Sequence, residues 1–365
     1  MFIIPLTQII QPVNNSVKAF SWERLYVATW TLDFDRIKHE IAQKVTYENR
    51  PSRANQEVEI WDVIFAKMQG TQKTLMIYEN EKGCIYSSWF FVLRPTNQIL
   101  SWYLFHFLNS KSFLEQKDRN CTWATQKALT LEWLQKIQIP LPPLPTQKQI
   151  IQKIDKLNSL IELRKQSIEK TEKLTKSIFI EMFWELNNNS KLWNLATIIM
   201  WQSPLWDSYN TNWIWSPLLN WPTEFWEINP IEKQYTTKPK KFSNIGDILF
   251  CVRWATAWRL NISDKIYCIW RWLASIRWNK INNEFIYFIL KSKYDYFQSI
   301  WQWSTFINIS KDNLYDLIIP YPTISLQNKF ASIVQKNEEI IKKQKLALKK
   351  LEDLYSACMQ ESFKF

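Results

Sequence analysis

The chain is written twice. Ile137-Gln138-Ile139-Pro140-Leu141-Pro142 matches Leu317-Ile318-Ile319-Pro320-Tyr321-Pro322, Gln147 then matches Gln327, and each string is followed by about 38 residues of charged, apolar-periodic sequence. Upstream, Thr122-Trp123-Ala124-Thr125 lies over Gln302-Trp303-Ser304-Thr305 at the same offset of about 180 residues. Ile60-Trp61-Asp62-Val63-Ile64-Phe65 lies over Ile245-Gly246-Asp247-Ile248-Leu249-Phe250, where small insertions have stretched the offset to about 185. Self-similarity at so long a period means two copies of a domain-sized unit, and 365 residues give room for a core in each.

Each copy has two parts. Residues 1–145 and 185–324 mix short β-branched and aromatic strands (63–67, 85–93, 248–252, 274–277) with helical pieces (102–109, 285–292), so both read as α+β. Residues 146–184 and 325–365 lack proline, are rich in Glu, Lys, Gln and Leu, and follow proline-rich stops. Each is expected to form one long helix of roughly 58 Å. Their apolar residues repeat at three and four: Ile154, Leu157, Ile161, Ile168 and Ile178 in the first, Val334, Ile341, Leu348, Leu351 and Tyr355 in the second. That spacing predicts a coiled-coil pair. Its direction is antiparallel, because the second helix must carry the chain back. Arg164 and Gln344 fall on the same seams near the helix midpoints, and either form a polar layer that fixes register or face solvent.

Glycine is the compositional anomaly: 3 in the whole chain, against 22 Trp, where ordinary usage would give roughly 26 glycines. In the repeat, Trp61 faces Gly246 at a turn entering a strand, a place that commonly needs positive φ. Trp184 follows the first long helix where a capping glycine is expected. Many positions written Trp are therefore expected to be glycine positions whose UGA codons were read under a different genetic code. On that reading several of Trp201, Trp213, Trp226, Trp254, Trp258, Trp270 and Trp272 should sit in turns, exposed or at positive φ, rather than in a core. Base stacking by these rings is the less favoured reading; Trp22 and Trp102 are candidates for true tryptophan.

A net charge of +12 favours a polyanionic partner such as nucleic acid. The charge is spread evenly, each of the four segments carrying +3, so it singles out no reading face. Cys84, Cys121, Cys251, Cys268 and Cys358 form no CxxC pair, and with only His39 and His106 there is no plausible metal-ligand spacing; buried thiols in a reducing cytoplasm are expected. There is no basic leader, no run of 18 apolar residues, no phosphate-cradling loop and no dinucleotide fingerprint, even with Trp allowed to stand for Gly. A soluble cytoplasmic protein with no cofactor, no metal, no membrane attachment and no catalytic residues of its own is expected.

Gln202-Ser203-Pro204, preceded by Trp201 and followed by Tyr209-Asn210-Thr211-Asn212, resembles the GQSP…YNTNG opening of a target-recognition domain in the specificity subunits of type I restriction-modification systems. The likeness continues through Thr223-Glu224-Phe225-Trp226-Glu227-Ile228, Tyr235-Thr236-Thr237-Lys238-Pro239-Lys240-Lys241, Gly246-Asp247-Ile248-Leu249 and Tyr267-Cys268-Ile269-Trp270-Arg271-Trp272-Leu273-Ala274. Trp270 and Trp272 occupy glycine positions of that pattern, as do Trp201, Trp213 and Trp226. Residues 140–145 and 320–322 with Gln147 and Gln327 resemble its entry into the spacer helices. The resemblance implies a non-catalytic subunit: target-recognition domains at 1–145 and 185–324, spacer helices at 146–184 and 325–365, and a pseudo-two-fold internal repeat that reads a bipartite double-stranded DNA site. It implies methyltransferase subunits as docking partners and restriction subunits reached through the complex. The leading alternative is a stand-alone regulatory DNA-binding protein with duplicated domains; a nuclease or methyltransferase fragment is a third.

DNA contacts are expected from the domains. In the second, Gln202, Ser203, Tyr209, Asn210, Thr211, Asn212, Thr236, Thr237, Lys238, Lys240 and Lys241 mix amide donors for base edges with cations for phosphates. Arg253, Arg259 and Arg271 follow strands and either grip guanine or pair with Asp264. In the first domain Lys67, Gln69, Thr71, Gln72 and Lys73 occupy the corresponding place after a strand.

Overall fold

The structure is a computed structural model that describes all residues except 1, 122–126, 184–187, 201, 221–223, 226–227, 254–256, 279–280, 293–308 and 365. It divides into two compact units, Met1–Lys165 with Leu346–Phe365, and Gln166–Lys345. The boundary falls inside both long helices, so each unit owns a half of each.

In the first unit the strand Phe2–Pro5 pairs antiparallel with Gln138–Leu141. A four-stranded antiparallel sheet then runs in the order Ile10–Val13, Phe90–Pro95, Val63–Ala66, Thr74–Met76. A second sheet runs Gln43–Val45, Arg24–Val27, Ile85–Ser87, Ala54–Gln56, its two middle strands parallel. All four residues of Val63–Ala66 are buried because the strand has a core on each face. Val63 and Phe65 pack with Tyr103, Leu104, Phe107 and Phe113 of the helical layer, while Ile64 and Ala66 pack with Tyr86, Phe90 and Val92. The period-2 alternation thus partitions one apolar run between two cores.

The second unit repeats this construction. Asn189–Lys191 pairs antiparallel with Ile318–Pro320, and the first sheet runs Ala196–Ile199, Leu273–Trp278, Ile248–Cys251, Leu260–Ile262. Again Ile248 and Phe250 face one core and Leu249 and Cys251 the other. The second sheet carries Gln234–Thr236, Ser216–Leu219 and Cys268–Ile269, the last two parallel. The apolar run 85–93, expected as one strand, is two strands in different sheets, Ile85–Ser87 and Phe90–Pro95. A turn at Ser88 and Trp89 breaks it, and hydropathy gives no sign of that break because both flanks are buried.

Two duplicated polar devices hold corresponding places. Asp62 receives a fork from Arg94 (Nε–Oδ1 2.8 Å, Nη2–Oδ2 2.9 Å) and the Glu59 N–H. Asp247 receives a fork from Arg277 (3.1 and 3.0 Å), the Asn244 N–H and the Ser275 hydroxyl. Each carboxylate ties a tight turn to the long strand beside it, with bidentate geometry that a lysine could not supply. Within those turns Gly246 has φ +85° and Trp61 has φ +73°. Among the described residues five non-glycine positions have positive φ, and four are Trp: Trp61, Trp213, Trp215 and Trp258. Trp61, Trp213 and Trp215 are exposed, whereas Trp258 is buried against Phe250. Trp270 and Trp272 are half-buried at a turn; Trp184, Trp201, Trp226 and Trp254 lie outside the described residues.

The long helices are Leu144–Phe183 and Ile324–Ser362, of 40 and 39 residues. In the first unit Ile154 shares a core with Met359 and Phe363. In the second, Phe183 shares one with Phe330 and Val334. The start of one helix therefore meets the end of the other, and the pair is antiparallel. Ile154, Ile161, Ile168 and Val334 are buried; Leu157, Arg164, Ile178, Ile341, Gln344, Leu348, Leu351 and Tyr355 are half-buried on the same seams. Polar seam contacts lie at Asn337, which donates to Thr175 Oγ1 (2.9 Å), and Gln344, which donates to Ser167 Oγ (2.9 Å).

Gln147 and Gln327 anchor the helix starts. Gln147 is fully buried, accepts the Leu100 N–H (2.9 Å) and donates to Gln98 O and Pro142 O. Gln327 accepts the Asn282 N–H (2.9 Å) and donates to Pro322 O. Each locks the first turn of a long helix to the segment that opens a short helix of its own unit, Ser101–Leu108 or Asn283–Ser292.

Candidate nucleic-acid interface

In the second unit three stretches meet at the ends of Cys268–Ile269. The Ile269 N–H donates to Lys241 O (3.0 Å), and the Arg271 N–H donates to Ser203 Oγ (3.3 Å). This puts residues 202–203, 237–241 and 270–272 side by side. Gln202, Lys238, Lys240, Lys241, Arg259 and Arg271 are exposed, as are Thr211 and Asn212 at the tip of a neighbouring turn. The Arg271 guanidinium lies over the rings of Trp270 (4.8 Å) and Trp272 (5.7 Å). Asp264 is engaged by the Tyr267 hydroxyl at 2.7 Å.

Several of the expected contact residues build the loops instead. Thr236 is fully buried, bonds Ser208 Oγ and accepts the Lys238 N–H. Thr237 donates its N–H to Ser208 O. Asn210 Oδ1 accepts the N–H groups of Asn212 and Ile214, closing the turn between them. Half-buried Tyr209 has its hydroxyl pushed above the usual range, first by burial. Arg253 is half-buried beside the strand end.

In the first unit the loop after Val63–Ala66 is stapled down on every side. Buried Lys117 donates to Met68 O (3.0 Å) and to Thr71 O. Burial pulls its ammonium below the usual range, an effect that the neighbouring Asp118 opposes. Asp118 accepts the Gly70 N–H (3.0 Å), and the Gln69 amide donates to Asp118 O. Gln72 donates to Asn109 O, Lys73 to Thr29 O (2.6 Å), and Lys67 to Ser88 O (2.7 Å). Lys67 also lies over Phe91, and burial lowers its pKa. What remains outward is the tip at Gln69, Gly70 and, in part, Thr71.

The model for the type I restriction modification DNA specificity domain matches residues 43–173 and again residues 189–350. The chain belongs to the type I restriction-modification specificity subunits. A putative type I restriction enzyme specificity subunit, MjaX, of Methanocaldococcus jannaschii is 28% identical over 317 residues, covering 77% of this chain and 72% of that one. A chain solved in work on complex assembly and conformational transition of the type I restriction-modification system superposes with TM-score 0.72 at 23% identity, covering 99% and 97% of the two chains. The crystal structure of the specificity subunit from Thermoanaerobacter tengcongensis gives 0.55 at 21% identity, with 100% and 96% covered.

As a specificity subunit the chain is the non-catalytic, DNA-reading member of its system. Among the described residues of this specificity subunit no helix is long and apolar enough to cross a membrane, and no group of three metal-ligating side chains occurs. Sequence reading passed over Lys117, whose ammonium braces the 67–73 loop. Lys117 carried no signal, since a lysine on an amphipathic helix ordinarily points to water.

Proposed function

We propose that residues 1–145 and 185–324 act as two target-recognition domains, each reading one half of a bipartite duplex site, with 146–184 and 325–365 as the spacer helices between them. In the second domain Gln202, Ser203, Thr211 and Asn212 offer groups for base edges, and Lys238, Lys240, Lys241, Arg259 and Arg271 offer cations for phosphates or guanine. Tyr209, Asn210, Thr236, Thr237 and Arg253 shape the loops that present them. In the first domain the tip at Gln69 and Thr71 is the reading edge, while Lys67, Gln72 and Lys73 brace it. Methyltransferase subunits dock on the spacer helices, restriction subunits join through the complex, and the setting is cytoplasmic. The observation that carries the reading is the duplication itself: two units with the same strand order, each with exposed polar loops beside its strand ends. Selection of bound duplexes from a random pool by the full chain, alone and with a methyltransferase subunit, tests it. Two short conserved words separated by an unspecified gap are expected; one unbroken word would favour a stand-alone regulator.

A further inference from the structure

The strand order of the two units aligns loops that the sequence repeat does not. In the second unit Gln234–Thr236 leads through residues 237–241 to Phe242, which bridges antiparallel to Cys268. In the first unit Gln43–Val45 leads through residues 46–53 to Ala54–Gln56, which pairs antiparallel with Ile85–Ser87. The partners confirm the correspondence: Arg24 faces Val45 as Ser216 faces Thr236, and the parallel neighbours are Tyr26 with Ile85 and Leu218 with Cys268. Residues 46–53 therefore stand where the lysine loop 237–241 stands.

That loop is built to present one cation. Arg50 is turned inward, donating to Ala54 O (3.1 Å) and Tyr47 O (2.6 Å) and lying over the Tyr47 ring. Arg53 is exposed and forms no ion pair among the described residues. Its carbonyl accepts the Ser88 N–H at 2.8 Å, and the Ser88 carbonyl accepts Lys67 Nζ, so Arg53 stands beside the turn that adjoins the stapled loop 67–73. The Arg53–Ser88 bond is main-chain, so the placement does not depend on the Trp89 ring over which the guanidinium lies at 5.1 Å.

We propose that Arg53 grips a DNA phosphate and is the first unit's counterpart of Lys240 and Lys241. The proposal rests on the reading that the 237–241 loop meets DNA. An exposed guanidinium next to a base-reading edge fixes register on the duplex while carrying no sequence information of its own. Neutralising one phosphate contributes about 0.9 to the slope of log affinity against log salt, and about fivefold in affinity near 0.15 M salt.

The test measures the salt dependence of binding by the full chain, with its methyltransferase subunit, to the duplex that the unmodified chain selects. Arg53→Gln should lower the slope by about 0.9 and weaken binding about fivefold, with the selected consensus unchanged. Arg53→Lys should restore the slope, since the contact is one of charge. Lys82→Gln, at the opposite end of Ile85–Ser87, is the control and should change neither. An Arg53→Gln slope equal to that of the control overturns the proposal. Lys240→Gln with Lys241→Gln, read in the same assay, then tells which premise failed. A lowered slope there leaves the second unit's loop on DNA and faults only the correspondence; an unchanged slope faults the loop reading as well.

Discussion

At the scale of single residues, backbone conformation and hydrogen-bond count make the sharpest predictions. A non-glycine residue in the left-handed region costs about 1 kcal/mol or more, and Trp61, Trp213 and Trp215 all pay it while exposed. Trp61→Gly, Trp213→Gly and Trp215→Gly should each raise stability by about 1 kcal/mol in thermal or denaturant melts, with Trp61→Gly adding to either of the other two. Unchanged or lowered melting would remove the support that these dihedrals lend to the glycine reading of the Trp positions. Gln147 argues the other way. Its amide satisfies three backbone groups, Pro142 O buried and Leu100 N–H and Gln98 O part-buried, and Gln147→Leu keeps the bulk while leaving them unpaired. A loss of about 2 to 3 kcal/mol is expected in the same melts, with Gln327→Leu close behind. The two glutamines were visible in the sequence as a repeat; their role was not, because it depends on segments about 50 residues upstream.

Between elements, the long helices show what a heptad search can and cannot see. Apolar residues at three and four spacing announced both rods, and topology alone gave their direction. The same search passes over Asn337 and Thr175, which are polar and buried at seam positions. Thr175→Val leaves the buried Asn337 amide without its partner and should cost about 1 to 3 kcal/mol, whereas Asn337→Leu leaves the Thr175 hydroxyl its bond to Thr171 O (3.2 Å) and should cost less. The double substitution should recover most of that loss, leaving a favourable apolar layer with weaker control of register. A double-mutant cycle in denaturant melts measures the coupling, and additive single losses would refute it. The break between Ile85–Ser87 and Phe90–Pro95 was illegible for a related reason. Period and propensity describe one strand at a time, whereas that break is fixed by which sheet each half joins. Arg53 escaped notice because residues 46–53 and 237–241 differ in length, and pairwise matching stops at the insertion.

For the molecule as a whole the duplication sets the terms of recognition. The net charge of +12 is shared evenly along the chain, so attraction to duplex DNA is general and discrimination has to come from the loops. The loops at 69–71 and 202–271 belong to different units. Thr71→Val and Arg271→Ala should therefore blur different words of the selected consensus, each leaving the other word intact. In affinity, each should cost about 1 to 3 kcal/mol if it removes a base contact, and the losses should add to within about 0.5 kcal/mol in the double variant. Two sizeable, additive losses are expected only when both words are held at once, because a chain that binds by either unit alone keeps the intact unit's affinity after one substitution and loses it only when both are made. Affinities of the two single variants and the double variant on one duplex, at one salt concentration, decide between simultaneous and alternate reading.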